Sequence, residues 1–254
     1  MMSFTVGVDV GGTFTDFVLA ETGKGYKRQH KTSTVPSDPA EGILTGLREI
    51  ADLEGMSVEE FFGSIELIVH GTTVATNAVL TGSGAATGLI TTEGVRDILE
   101  MRRGIRSREH LYDNKYSAPP PLVPRMHRLG VTERINVAGE VVTDLDETGL
   151  RDAVKTLVDG GVKALAVCFM HSYKNPVNEK RARKIVEEVA PDLFLSVSSE
   201  VLPQVRLYPR VSTTVMNAYL GPIVEQYMAR IIARLADNGF AGTLMVMQSN
   251  GGIT

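Results

Sequence analysis

One cysteine, Cys168, occurs among 254 residues, which excludes an internal disulfide. It sits in Ala164-Leu-Ala-Val-Cys-Phe169, an apolar run of strand length, and reads as a small core residue rather than a nucleophile. No apolar run approaches the length of a membrane span. The opening residues lack the basic-then-apolar order of a secretion signal. Charge of one sign is not in excess: 26 Lys and Arg against 30 Asp and Glu give a formal net charge of −4, so no nucleic-acid partner is expected. The five histidines show no paired ligand spacing, and no zinc site is expected. What is left is a cytoplasmic enzyme or enzyme subunit of ordinary apolar content, long enough for one large domain or two smaller ones.

The most informative residues come first. In Phe4-Thr-Val-Gly-Val-Asp-Val10 alternate side chains share a face. Val6, Val8 and Val10 make a core face; Gly7, Asp9 and Gly11 make the other, with one carboxylate and almost no bulk. Gly11 and Gly12 turn the chain, and Thr13, Thr15 and Asp16 open the returning strand. Such a turn suits a nucleoside triphosphate. The glycines are expected to adopt angles closed to other residues and to aim N–H groups at phosphate oxygens. Thr13 and Thr15 offer hydroxyls, Asp9 suits Mg²⁺ held through water, and Asp16 suits a water or acceptor hydroxyl. The competing reading is a plain hairpin with solvated aspartates.

Further along, Tyr26–Lys31 reads as a third strand. Asp38-Pro39 opens a helix over residues 40–53, with Asp38 as N-cap and Ile43, Leu44, Leu47 and Ile50 as its buried stripe. Residues 65–69 read as a strand, 72–80 as a helix and 87–91 as a strand, followed by a short helix to Met101. Residues 102–125 carry five arginines, two tyrosines and Pro119-Pro-Pro, and read as an ordered excursion whose basic face, over Arg102–Arg108, is either solvated or bound to an anion or a partner. A hairpin is expected around Ala138-Gly139. A helix, strand, helix, strand rhythm then fills 147–196 and argues for a parallel sheet unit. Residues 210–237 read as a long helix broken near Gly221-Pro222. Thr243–Met247 is a strand leading into Gln248-Ser-Asn-Gly-Gly252, an echo of the first glycine turn.

Between these lies His70-Gly-Thr-Thr-Val-Ala-Thr-Asn77, at a strand end and a helix start. Free N–H groups there favour an anion, while Thr72 or Thr73 serves equally well as a simple N-cap. His70 is open to two readings, a proton carrier or a buried strand-end histidine. Gly82-Ser-Gly84 followed by Gly88 is rejected as a dinucleotide fingerprint, because it follows a helix and precedes a strand. His171-Ser-Tyr-Lys-Asn-Pro176 reads as a capping loop.

Four stretches in order carry a resemblance over essentially the whole chain: Asp9–Asp16, His70–Asn77, Pro119–Arg125 and Gln248–Gly252. The chain resembles the hydantoinase/5-oxoprolinase family, in its N-methylhydantoinase A-type subunit, within the actin/heat-shock-chaperone/sugar-kinase superfamily. The resemblance implies an α/β fold: a ribonuclease-H-like lobe with an inserted subdomain over residues 1–200, and the start of a second lobe in the A-type core domain over 201–254. It further implies that the chain matches the N-terminal portion of a longer protein. The implied activity is ATP-dependent opening of a cyclic amide, by phosphoryl transfer to the amide oxygen, with ATP and Mg²⁺ required. On this reading Asp9 serves the metal, and Gly11, Gly12, Thr13 and Thr15 the phosphates. Gln248, Ser249, Asn250, Gly251 and Gly252 form a facing loop from the second lobe. Asp16, Thr72 and Thr73 serve the transfer, and His70, Gly71 and Asn77 the substrate side. A separate B-type subunit and an oligomeric assembly are implied as partners. The alternatives are an ATP-dependent ketone carboxylase subunit, a non-catalytic assembly module and, most distantly, a sugar kinase.

Overall fold

The computed structural model describes residues 3–35 and 38–254. From the N-terminus run β1 (Phe4–Val10), β2 (Phe14–Glu21), β3 (Gly25–Ser33), α1 (Pro39–Glu54), α2 (Val58–Ser64), β4 (Ile65–Thr72) and α3 (Val74–Thr81). Next come β5 (Thr87–Thr92), α4 (Ile98–Met101), β6 (Arg128–Val131), β7 (Arg134–Ile135), β8 (Val141–Thr143) and α5 (Glu147–Asp159). The chain ends with β9 (Ala164–Cys168), α6 (Val177–Val189), β10 (Phe194–Val197), α7 (Ser198–Val201), α8 (Leu207–Asp237) and β11 (Thr243–Val246). These form two compact units, one of Met1–Ser83 with Ile223–Thr254, the other of Gly84–Pro222.

The first unit is built on a five-stranded sheet in the order β11-β4-β1-β2-β3. β2 runs antiparallel to β1 and β3, whereas β4 is parallel to both β1 and β11. The valine face of β1 is buried as its alternation requires, against Ile43, Leu44, Leu47 and Ile50 of α1 and Tyr227, Ile231 and Leu235 of α8. Each such apolar side chain contributes about 2 kcal/mol by leaving water. Asp38 stands at the N-cap position but makes no side-chain cap; its carboxylate pairs with Arg234 instead. That ion pair ties the start of α1 to the end of α8, and Arg234 also reaches Glu41 at 2.9 Å.

The second unit holds an all-parallel sheet, β10-β9-β5-β6, and the small antiparallel pair β7–β8. Cys168 is fully buried in β9, and burial pushes its thiol up to about 12. Around the following loop, buried Arg210 donates to the Phe169 carbonyl at 2.7 Å and to the Ser198 hydroxyl at 3.2 Å. Buried Glu179 accepts from Phe169 N, Ser198 Oγ and Ser199 N at 2.7–2.8 Å. His171–Pro176 is the loop expected: the Asn175 side chain accepts from Val177 N at 3.1 Å at the start of α6. Gly82 is the left-handed end of α3, in keeping with rejecting the dinucleotide pattern.

Three expectations about elements change, and one element was not expected. The hairpin around Gly139 is confined to β7 and β8, because Val131 belongs to β6 in the parallel sheet. α8 runs unbroken through Pro222; a bare Gly221 lets it pass the Phe194 ring, which would lie 2.0 Å from any added Cβ. α2 was not legible as a helix, although its Ser57–Glu60 capping box is complete. Finally, β11 does not open a separate lobe. It is the edge strand of the first sheet, Thr243 to Val246 pairing with Leu67 to His70.

Candidate active site

Three parallel strands lie side by side in the order β11-β4-β1, and each carries a singled-out motif at its C-terminal end. In open α/β sheets ligands bind beyond the carboxyl ends of strands. Met247 N donates to the His70 carbonyl at 2.8 Å, and Thr73 N approaches the Val10 carbonyl at 3.4 Å. The two glycine turns therefore flank the β4–α3 turn, about 10 Å apart at the usual strand spacing.

The first turn spans Gly11 to Phe14 and is closed by Gly11 N donating to the Phe14 carbonyl at 3.0 Å. Neither Gly11 nor Gly12 has a positive φ, contrary to expectation. What glycine supplies is clearance: a Cβ at Gly11 would lie 3.0 Å from the Phe14 carbonyl oxygen, and Gly12 has nothing within 4 Å. Among the described residues the Gly12 and Thr13 N–H groups find no acceptor, and both residues are exposed.

Thr15 is corrected in its role. It is fully buried, and its hydroxyl shares a 2.9 Å hydrogen bond with Thr34. The strand alternation that exposes Asp16 turns Thr15 inward, so it serves the turn from below. Thr34 also donates to the Gly11 carbonyl at 3.0 Å, and its N–H to the Thr13 carbonyl at 2.9 Å. Thr34 thus braces the turn, a role nothing in its sequence context announced.

Asp9 and Asp16 stand directly opposite on β1 and β2, and the same rung places Gly71 beside Asp9 and Lys31 beside Asp16. Lys31 Nζ lies 2.8 Å from Asp16 Oδ1 and offsets the repulsion of facing carboxylates. A Cβ at Gly71 would come within 3.2 Å of Asp9 Oδ1, so glycine there gives the carboxylate its room. Asp9 is exposed. Among the described residues no group of three or more His, Cys, Asp or Glu could hold a metal ion. One or two carboxylates beside phosphate oxygens fit Mg²⁺, which keeps most of its water, and do not fit a self-contained protein cage.

His70 lies on the opposite face from Asp9, on the rung of Val8 and Phe17. Only 1% of it is exposed, its Nε2 lies 3.0 Å from the Tyr227 hydroxyl, and burial holds its pKa down at about 4. It is a neutral interior residue, the second of the two readings left open. Thr73 occupies the N-cap position of α3 without capping through its side chain; its Oγ1 accepts from Asn77 Nδ2 at 3.2 Å. Thr72 Oγ1 accepts from Val74 N at 3.2 Å. The N–H groups of Ala75 and Thr76, at the first turn of α3, are free by helix geometry.

The second glycine turn is a hairpin. Gln248 N donates to the Gly252 carbonyl at 2.7 Å, Gly251 N to the Gln248 carbonyl at 2.9 Å, and Gly252 N to Asn250 Oδ1 at 2.8 Å. Gly251 has φ +84°, the left-handed region that favours glycine. Gln248, Ser249 and Asn250 are exposed. A cleft elsewhere, lined by Ser3, Glu59, Glu60 and Glu66, lies towards the N-terminal end of β1, and its carboxylates would repel phosphate.

An α/β unit with polar turns gathered at the carboxyl ends of its parallel strands is the class of protein defined so far. Residues 5–190 match the hydantoinase/oxoprolinase N-terminal region, and residues 210–254 match hydantoinase/oxoprolinase. The chain belongs to the hydantoinase/oxoprolinase family. It is 39% identical over 250 residues to caprolactamase subunit alpha of Pseudomonas jessenii, covering 98% of this chain and 36% of the relative. It is 35% identical over 259 residues to the acetophenone carboxylase gamma subunit of Aromatoleum aromaticum, covering 98% and 35%. The crystal structure of the ATP-dependent caprolactamase from Pseudomonas jessenii matches with a TM-score of 0.89 and 39% identity, over 98% of this chain and 36% of that one. The chain thus spans about a third of the length of these relatives. No helix among the described residues is long and apolar enough to cross a membrane.

Proposed function

We propose that this chain carries the phosphate-handling edge of an ATP-dependent enzyme that opens a cyclic amide of hydantoin or 5-oxoproline type. The observation that carries the reading is the exposed Gly11–Phe14 turn, whose Gly12 and Thr13 N–H groups meet no acceptor among the described residues, next to exposed Asp9. The strand order β3-β2-β1-β4-β11, with β2 alone reversed, supports reading the first unit as a ribonuclease-H-like lobe with the second unit as its insertion. Residues 201–254, on the same reading, begin the A-type core region.

In this account the Gly12 and Thr13 amides and the first turn of α3 hold phosphate oxygens, while Gln248–Gly252 closes the other side. Asp9 holds Mg²⁺ through water, and that ion would neutralise charge developing on the transferred group. Asp16, fixed by Lys31, orients the acceptor, and Thr73 and Asn77 serve it from the β4–α3 turn. A B-type second subunit completes the enzyme, consistent with relatives whose names mark them as subunits.

The test measures ADP release by the intact protein with its partner subunit. 5-Oxoproline, hydantoin and caprolactam form one set of substrates; acetophenone or acetone with bicarbonate forms the other. Cyclic-amide-dependent ADP release supports the reading. Stimulation by ketone and bicarbonate alone replaces it with a carboxylase, and nucleotide-independent behaviour removes it.

A further inference from the structure

On the face of the first sheet turned away from α1 and α8, the rung that carries Asp9 and Asp16 continues onto β3 at Lys31. Alternation along β2 puts Phe14 on that same face with Asp16. Lys31 Nζ lies 2.8 Å from Asp16 Oδ1 and 5.1 Å from the centroid of the exposed Phe14 ring. Phe14 is the residue whose carbonyl closes the first glycine turn. The ammonium thus stands against both the carboxylate and the last residue of the turn, on a side chain 56% exposed.

Charge makes this cation more than a counter-ion for Asp16. The segments at the carboxyl ends of β1, β4 and β11 are residues 9–16, 70–77 and 247–252, and residues 31–35 include the Thr34 brace. Together they hold two carboxylates, Asp9 and Asp16, and a single Lys or Arg, Lys31. His70 adds no charge at pH 7, because burial keeps it neutral. Phosphate oxygens brought to this edge without Lys31 meet two carboxylates and no side-chain cation. The ammonium also has donors to spare. It carries three N–H groups, and among the described residues Asp16 Oδ1 is the one carboxylate oxygen against it. An exposed pair of this kind contributes little to stability by itself.

We propose that Lys31 is a phosphate-binding residue: with one donor still on Asp16, it gives a second to an oxygen of the phosphoryl group that is to be transferred. The bridge holds that group beside the carboxylate that orients its acceptor, and Asp9 stands one strand away on the same rung. A charge-assisted hydrogen bond of this kind is strong enough to show in affinity. The inference rests on the proposed function for the nucleotide and for the role of Asp16.

The test uses the intact protein with Mg²⁺ and either ADP or a non-hydrolysable ATP analogue. In calorimetry Lys31→Met should weaken the analogue about ten- to a hundredfold, the range for losing a hydrogen bond to a charged group, and ADP far less. Unchanged affinity for the analogue leaves Lys31 a surface counter-charge, and an equal loss for ADP places it on an inner phosphate; either overturns the inference. In an Asp16→Ala background Lys31→Met should cost the analogue the same factor. A loss that vanishes there means that Lys31 acts only by fixing Asp16, which also overturns it. A second measurement needs no variant: amine-reactive labelling of the natural protein, read by mass spectrometry. The analogue should protect Lys31 and ADP should not; labelling that ignores the analogue contradicts the inference. If the natural protein binds neither nucleotide, the proposed function fails and the inference falls with it. If it binds both and Lys31 makes no difference, only the inference fails.

Discussion

Acidification should destabilise the first unit through His70, by an amount its burial sets. The ordinary histidine value of 6.5 falls to about 4 in the fold. The unfolded chain thus binds a proton that the folded chain refuses. Stability is full above pH 6.5 and declines as pH falls between 6.5 and 4, where the folded state also protonates. From pH 7 to pH 5 the loss is about 2 kcal/mol, at about 1.4 kcal/mol per pH unit over most of that interval. The measurement is urea unfolding by far-ultraviolet circular dichroism at both pH values, for the natural chain and for His70→Gln. Glutamine keeps a donor towards Tyr227 and cannot titrate. Other groups titrate alike in both proteins and cancel. The natural chain should lose about 2 kcal/mol more than the variant. Equal losses would refute the claim that His70 is neutral and interior.

Other outcomes follow from the same geometry. Asp9→Ala should cut ATP turnover about a hundredfold or more without changing the circular dichroism spectrum. Gly71→Ala should displace the Asp9 carboxylate, since the new Cβ would lie 3.2 Å from Oδ1; weaker metal-dependent nucleotide binding by calorimetry, with little change in melting temperature, is the expected pattern. Thr34→Val should cost about 1–3 kcal/mol, because the buried Thr15 hydroxyl and the Gly11 carbonyl lose their partner; a change within 0.3 kcal/mol would show that Thr34 does not brace the turn. Cys168, buried with its thiol held at about 12, should resist thiol reagents at pH 8 until the protein unfolds, and rapid labelling of the native chain would contradict its placement.

Much of the site was legible because it is local. Strand alternation put Asp9 on the open face, and the two Gly-Gly turns and the His70–Asn77 segment were each found from contiguous residues. The same alternation, applied to the returning strand, would have turned Thr15 inward. Long-range partners were not legible. Tyr227 lies 157 residues from His70, and Lys31 meets Asp16 only through strand register. The placement of β11 eluded the sequence for a related reason. A strand with a glycine turn reads alike whether it starts a new sheet or extends an old one, and only its pairing with β4 decides. The capping box Ser57–Glu60 was available as a signal for α2, but the helix is only 7 residues long, too short to show periodicity.

The central claim is that the Gly11–Phe14 turn and Asp9 form one phosphate and metal site. Crystals of the intact protein grown with Mn²⁺ and a non-hydrolysable ATP analogue test it by anomalous scattering. The account predicts a manganese peak beside the Asp9 carboxylate, directly or through one water, with phosphate oxygens on the Gly12 and Thr13 N–H groups. A nucleotide bound away from the C-terminal ends of β1, β4 and β11, with Asp9 facing only solvent, would contradict it.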